Sequence, residues 1–427
     1  MFKLPSLKSE FSKNAFVLIA GTVVAQSIPI LLQPILRRVY SPEDFGALAV
    51  YLTLFSMITI AFSLRYEAAI VLPKNNNVAA NILSLTFIIN IVFAVVLFAA
   101  LVLFKNAIVR LIGLPEKYSN YLFFLPVTCL AFSMYQSMNY WLIRKKAFKA
   151  SANNKIIRRG TEGIVQAGTG FLKIPGGLFF GDLFGNIANA ISGLTQLRNQ
   201  DFHLKLISKK KMGYVLSRYA EFPKYNLIPT LLSSAATVLP FLFINKFYST
   251  ETVGYLDLTR LVLSIPLIFI SATISQVFFQ QTTEKKNNSL SIKKDITDIL
   301  YLLFAIIIIE MLFIFLFGPQ LFGFVFGSKY EVSGVYSQIL IFSFALNFIG
   351  SAFSSILITF EKIRLNSIWQ ITYFLAICSL FFLKGLEIDE FLKIYVLVEV
   401  VMHSIYCLMI YYIVNRYEKK IKTRNLA

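Results

Sequence analysis

Apolar runs about as long as a bilayer is thick recur along this chain, and no other feature limits its fold as strongly. A helix rises about 1.5 Å per residue, so a hydrocarbon core of about 30 Å takes roughly 20 residues to cross. Runs near that length lie at 15–36, 45–64, 79–104, 121–142, 225–244, 253–279, 296–317, 335–358, 368–383 and 394–414. Residues 156–197 have the length for two more, broken near Lys173-Ile174-Pro175-Gly176, although the first carries Arg158, Arg159 and Glu162. The expectation is an all-α integral membrane protein with about twelve transmembrane helices.

Composition supports a lipid environment. Hydrophobic residues make up 57% of the 427 positions and charged residues only 15%, where a soluble domain carries about 25%. The net charge of +19 would suggest nucleic acid in a soluble protein, but here the basic residues fall between apolar runs. With the N-terminus placed inside, alternate loops and tails hold 30 of the 41 Lys and Arg, the opposite loops hold 10, and Arg260 lies within a run. That bias puts both termini in the cytoplasm. Lys3, Lys8 and Lys13 precede a first run too long for a signal peptide and without a small-x-small cleavage site, so it reads as a retained membrane helix. Two His and three Cys argue against a His/Cys metal site. Cys129, Cys378 and Cys407 sit in apolar runs without CxxC spacing and read as buried hydrophobes rather than a disulfide framework.

The loops are short. The longest, 198–224, is basic (Lys209-Lys210-Lys211) and leaves no room for a nucleotide-binding or extracytoplasmic catalytic domain. The two halves echo one another. Tyr40-Ser41-Pro42-Glu43-Asp44-Phe45-Gly46-Ala47-Leu48 returns 208 positions later as Tyr248-Ser249-Thr250-Glu251-Thr252-Val253-Gly254-Tyr255-Leu256. A looser echo links Leu111-Ile112-Gly113 with Val325-Phe326-Gly327. An even number of runs separates the copies, so the duplication is parallel, a transporter architecture. The boundaries expected are a six-helix bundle at 1–200, a basic cytoplasmic linker at 201–224, and a second bundle with a basic tail at 225–427.

The chain resembles the Wzx-type polysaccharide flippases of the multidrug/oligosaccharidyl-lipid/polysaccharide (MOP) exporter superfamily, over nearly its whole length. The motifs that carry the likeness are Arg37-Arg38-Val39-Tyr40-Ser41-Pro42-Glu43-Asp44-Phe45-Gly46, Tyr66-Glu67-Ala68-Ala69-Ile70-Val71-Leu72-Pro73, Glu221-Phe222-Pro223-Lys224-Tyr225 and Gly318-Pro319-Gln320-Leu321-Phe322. The resemblance implies two pseudo-symmetric six-helix bundles rocking about a cationic central cavity lined by spans one, two, seven and eight. It implies a cargo of undecaprenyl-diphosphate-linked oligosaccharide, moved to the outer leaflet of a bacterial inner membrane for O-antigen, capsule or exopolysaccharide. A polysaccharide polymerase and a chain-length regulator are the partners implied on pathway grounds. No cofactor is implied; coupling to an H⁺ or Na⁺ gradient stays open.

Ionisable side chains inside a span are costly and tend to face a cavity or a partner. Asp257 and Arg260, three apart in span eight, are either a neutralised structural pair or a pyrophosphate contact at Arg260 with Asp257 holding it or exchanging protons. Arg37, Arg38 and Lys246 at the outer ends of spans one and seven, and Arg65 at the inner end of span two, either snorkel or ring the mouths of a substrate path. Glu310 in span nine is a coupling site or a neutral packing residue. Glu399 and His403, four apart in span twelve, are a buried structural pair or a proton relay. Gly177, Gly181 and Gly185 form a small-residue packing ridge, and His203 lies in a loop. No HExxH, G-x-S-x-G or phosphate-loop pattern appears, so an enzyme is not expected. The alternatives to a flippase are a drug or cation antiporter, a polytopic polymerase or ligase, and a scaffold for other export components.

Overall fold

The computed structural model of the chain describes residues 10–265 and 270–426. In chain order its helices are α1 Glu10–Val39, α2 Pro42–Phe62, α3 Asn76–Ile112, α4 Glu116–Ser119, α5 Leu125–Arg144, α6 Phe148–Phe171, α7 Gly177–Arg198, α8 Lys209–Arg218, α9 Glu221–Phe247, α10 Thr250–Leu263, α11 Ala272–Asn287, α12 Lys293–Phe326, α13 Glu331–Ala352, α14 Ser355–Thr359, α15 Ile363–Ser379 and α16 Ile388–Leu426. Short 3-10 turns join several of them, and no strand occurs among the described residues.

Among the described residues, eight helical segments are long and apolar enough to cross a membrane: Pro42–Phe62, Asn76–Ile112, Glu116–Arg144, Leu227–Phe247, Lys293–Phe326, Ser328–Leu357, Arg364–Leu383 and Ile388–Ile421. In the most apolar windows of α3 and α12 only 17% and 22% of residues are buried. Exposed side chains such as Leu103, Ile309 and Leu316 would be penalised by water and are at home against lipid. The expected pair of spans at 156–197 is present as α6 and α7, separated at 172–176. Both have the length, 24 and 22 residues, but carry too many polar side chains to count as apolar. The expected span 253–279 is built from α10 and α11, with 266–269 outside the described residues; so are Lys3 and Lys8.

Two compact units form, Met1–Val253 and Gly254–Ala427. In unit 1, α6 packs between α1 and α7, α7 also lies on α5, and α9 lies on α2. A core of Tyr135, Met138 and Trp141 of α5 with Tyr66, Ile70 and Leu83 closes one end. The basic segment after α7 is folded onto this core. Asn81, fully buried, accepts from Ser208 N (2.8 Å) and donates to Leu206 O (2.9 Å), while Val215 of α8 is buried. In unit 2, α13 packs on both α12 and α16. Thr259 of α10 donates to Ser333 O (2.8 Å), and Ser333 donates to Tyr255 O (2.9 Å), tying α10 to α13.

The sequence echo is a pair of helix signals. Ser41 caps α2 by accepting from Asp44 N (3.1 Å), and Ser249 accepts from Thr252 N (3.0 Å) at the start of α10, satisfying a donor that a helix start leaves unpaired. Gly113 ends α3 and Gly327 ends α12, with φ of +72° and +105°. Side chains are strained in that region, so glycine serves at both stops.

Candidate functional site

Polarity inside unit 1 is concentrated on α6. Ser151, Lys155, Arg158, Glu162, Gln166 and Thr169 recur every three or four residues, which places them on one helical face. The opposite face carries Ile157, Ile164 and Phe171, the latter two 75% and 67% exposed. One side of α6 therefore suits lipid and the other the bundle. This amphipathic pattern is what keeps α6 out of the apolar segments.

The polar face meets partners on three helices. Lys155 Nζ donates to Thr22 Oγ1 of α1 (2.8 Å). Arg159 pairs with Glu162 at 2.7 Å. Arg158 Nη2 lies 3.9 Å from Asp182 Oδ1 of α7 and over the Phe132 ring of α5. Asn154 Nδ2 donates to Gln196 Oε1 (2.6 Å), and Tyr40 donates to Gln166 O (2.8 Å). A Cβ at Gly185 would sit 2.9 Å from Glu162 Cβ and 3.0 Å from Arg158 O. The glycine ridge thus lets α7 approach α6 at the level of its charges and brings Asp182 within reach.

Three cations, Lys155, Arg158 and Arg159, face two carboxylates, Glu162 and Asp182, leaving one positive charge in excess. Asp182 is only 2% exposed, whereas the Arg158 and Arg159 side chains keep 18% and 30%. The carboxylate is sealed, and the two arginine side chains are only partly exposed. Arg158 Nε, Asp182 Oδ2, Asn154 Oδ1, Asn186 Oδ1 and Asn189 Oδ1 are buried without a hydrogen-bond partner. Few groups are left in that state in a folded interior. Guanidinium forks with amides and hydroxyls beside them are the side-chain chemistry that receives phosphate and sugar oxygens.

Unit 2 has its own charged cluster. Tyr373 of α15 donates to Glu399 Oε1 of α16 (2.6 Å). His403 Nδ1 lies 3.2 Å from Glu399 Oε2 and 2.9 Å from Glu399 O. Tyr395 lies one turn before Glu399 on the same helix. Glu399 and His403 are each 6% exposed. The structure therefore keeps Glu399 and His403 of span twelve together and adds Tyr373 of α15, a residue that sequence reasoning did not single out.

The remaining sequence candidates are Arg37, Arg38, Arg65, Lys246, Asp257 and Glu310. Arg37 is 1% exposed, donates to Gln33 Oε1 (2.7 Å) and stacks 3.6 Å from the centre of the Phe45 ring. Arg38 is exposed on the last turn of α1. Arg65 adopts a left-handed conformation (φ +65°) and pairs with Glu67 at 3.4 Å, while Ser63 donates to the same carboxylate. Lys246 is exposed at the end of α9, and Asp257 is half-buried on α10. Glu310 is half-buried on α12 beside exposed Ile309 and Phe313. Sequence reasoning met Arg158, Arg159 and Glu162 only as blemishes in a span and did not consider Asp182. The signal that finds them is the polar period of three and four residues through 151–169, matched by Asp182, Asn186 and Asn189 on α7.

Known proteins bear on the fold. A multidrug resistance MATE family transporter of the MOP superfamily, in an inward-facing conformation, aligns with a TM-score of 0.73 at 14% identity, covering 95% of this chain and 99% of that one. A MOP superfamily transporter from Pyrococcus furiosus, described as having a binding pocket of reverse polarity that suggests a different function, aligns at 0.60 and 14% identity, covering 98% and 100%. A point mutant of VcmN, a Vibrio cholerae MATE transporter, aligns at 0.57 and 12%, covering 97% of each chain. At such identities the likeness establishes the fold. No curated protein matches. The family model described as "Polysaccharide biosynthesis protein" matches residues 35–335. The chain, a multi-pass membrane protein with the fold of MOP-superfamily transporters, belongs to this polysaccharide biosynthesis family.

Proposed function

We propose that the chain flips undecaprenyl-diphosphate-linked oligosaccharide repeat units from the cytoplasmic to the outer leaflet of the bacterial inner membrane. The motion is alternating access, and both termini are cytoplasmic. The observation that carries this reading is the cationic face of α6, with one positive charge in excess, inside a bundle of the transporter fold. A lipid diphosphate is expensive to move through hydrocarbon because its charge must be stripped of water. Arg158 and Arg159 offer planar donors to its oxygens, with Glu162 and Asp182 holding them in place. Asn154, Gln166 and Thr169 suit the hydroxyls of the attached sugars. Arg65 would receive the head group at the cytoplasmic end, and Arg37, Arg38 and Lys246 would pass it on at the outer end.

Asp257, Glu310, Glu399 and His403 of unit 2 are the candidates for ion coupling, with H⁺ or Na⁺ as driving ion, and Arg260 is a further candidate contact for the diphosphate. A buried carboxylate beside a histidine can exchange a proton without leaving a bare charge in the membrane. The polymerase and chain-length regulator that use the flipped unit would act next. No covalent step and no cofactor enter the proposal.

The test is deletion of the gene in its host, with surface glycan and lipid-linked intermediates measured together. Loss of surface polymer with accumulation of a single lipid-linked repeat unit is the expected result. Unchanged glycan with altered sensitivity to cationic drugs would move the protein to the antiporter reading.

A further inference from the structure

Unit 2 carries a groove of about 400 Å³ between α13 and α16 that takes no part in the Glu399 cluster. One wall is Lys393, Val396, Leu397 and Val400, spaced by three and four residues along α16; the other includes Phe342 and Leu346 of α13. Glu399 and His403 lie on the adjoining face of α16, turned to Tyr373 and Trp369 of α15. Leu397 and Phe342 are 60% and 45% exposed, and Val396 is 8% exposed, so the groove has an apolar floor and an open side.

Its one polar lining residue is Lys393, exposed in the second turn of α16. Ion pairs of unit 2 include Lys285–Asp295, Lys286–Glu361 and His403–Glu399, and among the described residues Lys393 makes none. The charge bias puts this end of α16 on the outer side of the membrane. We infer that the groove is an outer-leaflet binding site for the isoprenoid chain of the flipped lipid, with its diphosphate on Lys393. The inference rests on the flippase reading and adds where the cargo's tail goes.

Charge and shape favour this occupant. A diphosphate carries more negative charge than the single phosphate of a bulk phospholipid, and a lysine at a membrane interface attracts each added charge. The methyl branches of an isoprenoid chain match a trough floored by branched Val396 and Val400. A smooth lipid-facing helix offers a chain only one side, whereas a trough contacts it on three and gains dispersion from each.

The test uses the full chain in proteoliposomes of phosphatidylethanolamine and phosphatidylglycerol with tritiated undecaprenyl diphosphate. A photoreactive p-benzoylphenylalanine replaces Leu397 or, as control, Leu408, which is 64% exposed on the same helix. Labelling at 397 should exceed that at 408 about tenfold, fall with unlabelled undecaprenyl diphosphate, and fall about tenfold with Lys393→Glu. Equal labelling at both positions, or labelling at 397 that competitor and Lys393→Glu leave unchanged, means ordinary annular lipid and overturns the inference. The deletion strain separates the two claims. If the wild-type gene restores surface glycan while labelling is equal, the groove assignment falls and the flippase stands. If deletion leaves the glycan intact, the flippase reading fails and takes the assignment with it.

Discussion

Both units bury charge, yet they do so in different ways. Unit 1 spreads five charged groups along the α6–α7 contact and leaves a cation in excess. Unit 2 concentrates its charge on one carboxylate, Glu399, held by Tyr373 and His403. The first arrangement is extended and can follow a long polar ligand. The second is compact and saturated, the form that suits a change of protonation or a small cation. The repeated motif supplies both halves with the same helix starts and stops, Ser41 with Ser249 and Gly113 with Gly327. Duplication preserved the frame, and the charges were placed on each copy separately.

The largest effect that could break this contrast is at Arg158. Removing one partner of a buried pair leaves an uncompensated charge, at about 3–5 kcal/mol. Arg158→Leu should therefore lower the melting temperature of the purified protein sharply and abolish complementation of surface glycan. Arg158→Leu with Asp182→Leu should recover most of the melting temperature but not the glycan. Recovery of both would show that the pair is structural and that α6 is no path for an anion.

In unit 2 the matching change is gentler. Tyr373→Phe removes a hydrogen bond to a charged group, about 1.5–3 kcal/mol, and the phenyl ring keeps its stacking on Trp369 (ring centres 5.3 Å apart). The variant should melt earlier and show altered ion dependence of flipping in reconstituted vesicles. If gradient dependence is untouched by Tyr373→Phe and by Glu399→Gln, the cluster is structural and the functional half of the contrast disappears.

The mouths give a third, smaller comparison. Arg65→Glu reverses a charge that is paired with nearly buried Glu67, placing two carboxylates side by side. It should impair both stability and glycan export. Lys246→Glu changes an exposed residue, where substitutions usually stay within about 0.5 kcal/mol. Equal export defects in the two variants would argue against a loading role for Arg65.

The membrane class and helix positions were legible in the sequence because hydropathy over about 20 residues is a local property. The echo of Tyr40–Leu48 in Tyr248–Leu256 was legible too, and its meaning as a pair of helix starts came with the caps at Ser41 and Ser249. The α6–α7 site was hidden by the very test that found the other spans. A window average treats Arg158, Arg159 and Glu162 as noise, and the charge count set Lys155, Arg158 and Arg159 among the loop residues although all three lie within α6. Their meaning appears only when Asp182 is brought across from another helix by Gly185. The contact of Tyr373 with Glu399 was invisible because it joins two helices through a side chain that no charge pattern marks.

Glu310 is the residue for which the smallest change is expected, and it sharpens the comparison from the other side. It stands on α12 among Ile306-Ile307-Ile308-Ile309 and, unlike Glu399, makes no hydrogen bond or ion pair among the described residues. An ionised carboxylate at mid-membrane costs about 2.5–3.5 kcal/mol, and nothing at Glu310 offsets that cost as Tyr373 and His403 do at Glu399. An uncharged carboxylic acid differs little from an amide in size and hydrogen-bonding capacity. Glu310→Gln should leave the melting temperature and glycan export close to wild type, and flipping across an imposed H⁺ or Na⁺ gradient should keep its slope. A flat response to the gradient in Glu310→Gln, beside a normal response in Glu399→Gln, would move ion coupling from the saturated cluster to the solitary acid and reverse the two roles.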